Sequence, residues 1–152
     1  MKVQVIVGDI VHLPVDAIIV NLFEGGEKPV GATAAVVSAL GGAISQLIAE
    51  KEIKGKLREV TLIHTLGRIP PKRVAVVGLG KQADFNLERL RGAVGEACRA
   101  LRRVGAQKVA SILHGAGAGG IGPEAAAQAI AEGCLLGLYT FRQHQAASPD
   151  QK

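Results

Sequence analysis

The run Val15-Asp16-Ala17-Ile18-Ile19-Val20-Asn21 sets the narrowest limit on how this chain can fold. Its apolar stretch, Ala17 to Val20, leaves no polar face, so a strand built from it is buried on both sides and its sheet needs cover above and below. The run ends on Asn21, where the strand opens into a loop over 22–31 carrying Gly25, Gly26, Pro29 and Gly31. Hydrophobic residues make up 48% of the chain while aromatics make up 3% with no Trp, so the core is aliphatic, as suits a parallel sheet covered by helices. At 152 residues one domain with one core is expected.

Other segments fit that frame. A strand is expected over 2–7, stopping at Gly8-Asp9. Small and apolar residues over 32–50 predict a helix broken at Gly41-Gly42, its second half packing through Ile44, Leu47 and Ile48. Strands over 59–65 and 73–77, separated by a turn around Gly67, Pro70 and Pro71, are close enough to pair as antiparallel neighbours. Asn86 is placed to cap a helix with Leu87, Leu90, Val94, Ala97, Leu101 and Val104 on its apolar face, and Gly105 ends it. A strand over 108–113 leads to a glycine-rich stretch and then to a helix opening at Pro123 with Glu124 in its first turn. That helix is expected to pack through Ala127, Ile130, Cys134, Leu138 and Phe141. The domain spans 1–142, and the polar residues 143–152 form a linker or tail. Strand and helix alternate as in an α/β chain with a mixed, mostly parallel sheet and helices on both faces.

Several function classes drop out. No apolar run nears the roughly 18 residues of a membrane span and no signal-peptide pattern opens the chain, so a cytoplasmic protein without a membrane partner is expected. The net charge of +5 invites nucleic acid. However, Arg89, Arg91, Arg99, Arg102 and Arg103 fall on one helix with no aromatics between them, which reads as a solvated outer face, and nucleic-acid binding is not expected. Cys98 and Cys134 fall on apolar helix faces as small buried hydrophobes, with no disulfide or metal pair. His12, His64, His114 and His144 lack ligand spacing, the carboxylates are scattered, and no serine or cysteine has a nucleophile context; no catalytic residue, metal or cofactor is expected.

A ligand, if bound, belongs where strand ends, loops and helix N-termini converge. Three segments end there: Gly8-Asp9-Ile10, Asn21 with its loop, and His114-Gly115-Ala116-Gly117-Ala118-Gly119-Gly120 ahead of Pro123. Glycine lets backbone N–H groups approach an anion, and a helix start adds positive charge. The same composition also serves a plain corner, and Asp9 serves equally as an adenine partner or as a turn former.

Gly8-Asp9-Ile10 followed by Val15–Asn21 resembles the opening of macro domains, which implies a three-layer α/β/α macro-domain-like fold. In that family the roles carried over are adenine contact at Asp9, a place near the distal ribose for Asn21, and diphosphate binding by Gly115 to Gly120, so ADP-ribose or another nucleotide is the implied ligand. Leu22-Phe23-Glu24 stands where macro domains carry small residues and a second asparagine, and a bulky acidic loop there would crowd a diphosphate.

A broader resemblance covers almost the whole chain. Val76-Val77-Gly78-Leu79-Gly80-Lys81, the helix with Glu88-Arg89-Leu90-Arg91, and above all Glu132-Gly133-Cys134-Leu135-Leu136-Gly137-Leu138-Tyr139-Thr140-Phe141 are similar to the macro-like N-terminal domain of leucine (cytosol) aminopeptidases. That resemblance implies a non-catalytic domain supporting assembly or regulation. Its partners would be a C-terminal two-metal peptidase domain, whose signatures this sequence lacks, or further copies in a homo-oligomer.

Overall fold

The computed structural model describes residues 3–4, 8–25, 31–113 and 121–146, with side chains described as far as residue 137. The strand expected over 2–7 lies largely outside these residues, as does the stretch 114–120. The elements are β1 (Ala17–Glu24), α1 (Gly31–Ala39), α2 (Ala43–Ala49), β2 (Val60–His64), β3 (Arg73–Lys81), α3 (Leu87–Arg103), β4 (Val109–Ser111) and α4 (Pro123–Ala146), with short 3-10 turns at Ile10–His12 and Gln82–Asp84.

Among the described residues the sheet runs β2-β3-β1-β4. β1 pairs in parallel with both β3 and β4, and β2 is antiparallel to β3, so the mixed, mostly parallel sheet matches expectation. Period-2 alternation sorts β1 into two cores. Ala17 and Ile19 join Leu90, Val94, Ala97 and Leu101 of α3 and Ala126 and Ala129 of α4. Ile18, Val20 and Leu22 join Val36 and Leu40 beside Ile44 of α2. Both faces of β1 are thus covered, as its unbroken apolar run requires, and the three-layer α/β/α arrangement follows.

Asp16 closes this arrangement at the entry to β1. Its Oδ2 accepts from the Gln107 and Lys108 amides at 2.8 and 2.9 Å, and its carbonyl accepts from Lys72 N at 2.9 Å, so one residue clasps the starts of β4 and β3. Those two amide donors hold its carboxyl below the ordinary carboxylate range. At α3, Asn86 Oδ1 accepts from Arg89 N at 2.8 Å, the expected N-cap. Gly41-Gly42 breaks α1 from α2, as the sequence indicates.

Three expectations change. The stretch Leu22-Phe23-Glu24 is the end of β1 and not a loop, because each face still offers a core: Leu22 is buried with α1 and α2, and Phe23 meets Phe85 edge-on at 5.4 Å between ring centroids. It therefore forms no bulky loop over a diphosphate site. β3 continues past Val77 to Lys81, because Gly78 and Gly80 admit the backbone of 55–59 alongside the strand. A Cβ on Gly78 would sit 1.9 Å from the Lys56 carbonyl oxygen, and Gly80, at φ +76°, donates to Gly55 O at 2.9 Å. Finally, α4 does not stop at 142 but runs through Ala146.

Candidate functional site

Asp9 caps the turn Ile10–His12. Its Oδ1 accepts from Val11 N at 3.1 Å and its Oδ2 meets His12 Nδ1 at 2.7 Å. The His12 hydrogen bond first, then that from Val11, holds the carboxyl below its usual range. The carboxylate is exposed, and both oxygens already have local partners. Ile10 packs toward the α1–α2 core beside Val11. Asn21 is half-buried in β1, and alternation places it on the other face of the sheet, in line with Ala17, Ile19 and Phe23. Gly115, Ala116, Gly117, Ala118, Gly119 and Gly120 lie outside the described residues. Among the described residues no group of three or more His, Cys, Asp or Glu could hold a metal ion, so the donors present do not fit a two-metal centre.

Elsewhere, an open groove of about 690 Å³ lies between α3 and α4, floored by glycine. A Cβ on Gly133 would lie 2.6 Å from the Arg91 carbonyl oxygen, and one on Gly137 would lie 2.9 Å from Gly95 Cα, so the two backbones touch. The equivalences 91 with 133 and 95 with 137 mean the helices run in parallel, as two strand-to-helix crossovers in one sheet direction require. Arg91 Nε donates to Glu132 Oε1 at 2.8 Å and Nη1 to Glu88 Oε2 at 3.3 Å. The Glu132 contact, then its charge and that of Glu88, raise the Arg91 guanidinium further above its usual range, and the bond from Arg91 depresses Glu132. Arg99 pairs with Glu96.

This corrects the solvated-face reading of the arginines. Arg91 and Arg99 keep only 32% and 24% of their side-chain exposure because they cover the helix seam, and Arg89 and Arg102 are also half-buried. The packing face of α4 is wider than expected. Ile130 is buried and Cys134 is half-buried against the same core, as expected, while Ala126, Ala129, Gly133 and Gly137 are buried as well and Ala127 is only half-buried, because close approach selects small residues over large ones. The expected Leu138 and Phe141 contacts lie outside the described side chains. The motif around Gly133 and Gly137 is therefore a helix-packing motif, and the glycine pairs four apart were its readable signal.

Cys98 is a buried free thiol beside the half-buried Cys134, and the hydrogen bond with Cys134 together with burial pushes the Cys98 thiol well up. No single helix among the described residues is long and apolar enough to cross a membrane.

Known proteins agree with this geometry. Residues 19–147 match the model of the cytosol aminopeptidase family, N-terminal domain. A probable cytosol aminopeptidase of Geobacter sulfurreducens is 37% identical over 93% of this chain and 28% of its own length. One from Alkaliphilus metalliredigens is 36% identical over 100% of this chain and 30% of its own. The chain thus spans under a third of these relatives. Among solved structures, the macrodomain of Mycobacterium tuberculosis DarG superposes with a TM-score of 0.71 over 86% of this chain and 88% of its own, at 16% identity. The bottromycin maturation enzyme BotP gives 0.60 at 24% identity over 89% of this chain and 26% of its own. These two likenesses support the macro-like fold, and the sequence match over nearly the full length places the chain in the cytosol aminopeptidase family, as its N-terminal domain.

Proposed function

We propose that this chain serves as a non-catalytic domain of a cytoplasmic aminopeptidase-type protein, supporting assembly or regulation of a peptidase domain outside these 152 residues. The observation that carries the reading is the match of residues 19–147 to the family's N-terminal domain. The local chemistry supports it. Asp16 and Glu132 serve interstrand and interhelix ties, and Asp9 serves a turn cap. A test is to express the chain together with the peptidase portion of the Geobacter sulfurreducens relative, stripped of its own N-terminal domain. Co-elution as one stable species is expected; separate elution with unchanged peptidase thermal stability would count against the reading.

The macro-like fold favours a second reading, a nucleotide or ADP-ribose module using Asp9, Ile10, Asn21 and Gly115, Ala116, Gly117, Ala118, Gly119 and Gly120. Its ligand would share the exposed Asp9 carboxylate, whose two oxygens each keep a further acceptor site beside Val11 N and His12. Calorimetry with ADP-ribose decides it. Heat of binding that Asp9→Ala abolishes would promote this reading, and no heat at millimolar ligand would remove it.

A further inference from the structure

The turn between β2 and β3 encloses an open hollow of about 650 Å³, with His64, Arg68 and Lys72 on its walls and no carboxylate among its lining residues. In the α3–α4 groove, by contrast, Arg91 and Arg99 are each paired with glutamate. Arg68 and Lys72 are both exposed and form no ion pair with any described residue. Asp16 feels the Lys72 charge behind the stronger hold of the Lys108 and Gln107 amides. The turn is also fixed in shape. Thr65 donates from Oγ1 to the Pro71 carbonyl at 2.6 Å and from N to Lys72 O at 2.9 Å, and Arg68 N donates to Thr65 O at 3.1 Å. The Arg68 guanidinium rests on Gly41, where a Cβ would stand 2.6 Å from Nη1, so this contact and a φ of +66° both favour glycine there. His64 Nδ1 accepts from Leu66 N at 2.9 Å, which leaves the proton of the neutral ring on Nε2 as a donor.

We propose that this hollow binds a small phosphate monoester, whose phosphoryl oxygens are held by Arg68, Lys72 and His64 Nε2. Two cations without ion-pair partners beside a neutral N–H donor suit a dianion with several oxygens better than a carboxylate, which carries a single charge. The Arg68 fork can meet two of those oxygens, and Lys72 acts as a point charge. Because the turn is set by its own hydrogen bonds, little ordering is needed on binding. The volume falls within the roughly 300–1,000 Å³ of small-molecule sites, leaving room for the organic part of the ester against Ile69 and Pro70. β3 begins at Arg73, which pairs with Ala17 at the start of β1, so the hollow lies at the amino ends of the parallel strands. The crevice weighed above for a nucleotide belongs to their carboxyl ends. The inference therefore rests neither on that reading nor on the aminopeptidase-type role.

The test is titration of the 152-residue chain with phenyl phosphate, followed by amide NMR shifts, with benzoate as the probe that keeps the ring and exchanges the phosphoryl group for a carboxylate. Titration to about 20 mM at constant ionic strength reaches dissociation constants of about 1 mM, the scale of an exposed site that salt screens. Saturable shifts are expected at the amides of Leu66, Gly67 and Arg68, with phenyl phosphate bound about tenfold more tightly than benzoate. Lys72→Gln and Arg68→Gln should each weaken phenyl phosphate about fivefold or more. Lys54→Gln, an exposed lysine outside the hollow, should leave its binding unchanged. Arg68 also rests on Gly41, so if Arg68→Gln lowers the melting temperature, Lys72→Gln decides the matter, because its side chain is exposed and the variant should melt like the native chain. Absence of saturable shifts over residues 64–72 overturns the proposal. So does benzoate binding as tightly as phenyl phosphate, or phenyl phosphate binding that Lys72→Gln leaves intact.

Discussion

Gly78→Ala tests whether the 55–59 segment is locked onto β3 as the contacts indicate. The added Cβ would stand 1.9 Å from the Lys56 carbonyl oxygen and 2.6 Å from the Gly55 carbonyl carbon, roughly 1.5 Å short of ordinary contact, and both neighbours are backbone that cannot swing aside. Relief requires the segment to lift from β3, breaking the Arg58 N to Gly78 O bond at 3.0 Å and the Gly78 N to Glu59 O bond at 2.7 Å. Overpacking of this kind costs about 1–3 kcal/mol and each lost hydrogen bond about 1 kcal/mol. The preference for alanine over glycine inside a strand returns about 0.5–1 kcal/mol. The net expectation is a loss of about 3 kcal/mol, a large share of the roughly 5–15 kcal/mol that stabilises a typical domain. Urea unfolding followed by circular dichroism should show the midpoint falling by about 1–3 M for an m-value of about 1–3 kcal/mol/M. Gly122→Ala, with nothing within 4 Å of its Cβ position, serves as the control and should change stability by less than about 1 kcal/mol. A Gly78→Ala loss no greater than that of the control would refute the reasoning.

Three further outcomes follow from single contacts. Asn86→Ala removes the acceptor for Arg89 N and should cost about 1 kcal/mol in the same urea assay, with Asn86→Asp retaining most of the stability. The Asp16 carboxyl is depressed below its usual value of 3.8, so its contribution is present above that value and lost as pH falls through the folded-state pKa. Thermal melts between pH 5 and pH 2 should accordingly show a steeper acid loss for the native chain than for Asp16→Asn, which cannot titrate. Cys98, buried and pushed up by its neighbour Cys134, should resist a thiol-reactive disulfide reagent at pH 8 in the folded chain and react fully once unfolded.

Much of the architecture was legible because it follows from local patterning. The apolar run of β1 demanded a two-sided sheet, the three-and-four spacing after Asn86 defined α3, and the paired glycines at 41 and 42 marked the break before α2. What escaped the sequence depended on long-range approach. Gly78 looked like the end of a strand because the segment it admits lies some twenty residues earlier, and Phe23 looked like part of a loop because Phe85 is distant in sequence. The glycine edge of the α4 packing face was missed for the same reason, although Ile130 and Cys134 pack as expected, since glycines 133 and 137 matter only when Gly95 and the Arg91 backbone are opposite them. At the candidate ligand site, Asp9 was visible from the sequence, whereas its engagement with His12 and Val11 was not, because capping depends on the turn it initiates.

These 152 residues form the family's N-terminal domain, and the role proposed for them requires no peptidase chemistry of their own. The most direct measurement is release of p-nitroaniline from leucine p-nitroanilide by the purified chain, assayed with added Mn²⁺ or Zn²⁺ and after chelation. No rate above the protein-free blank is predicted under either condition. A metal-dependent rate that co-purifies with the folded chain and disappears with the chelator would contradict it.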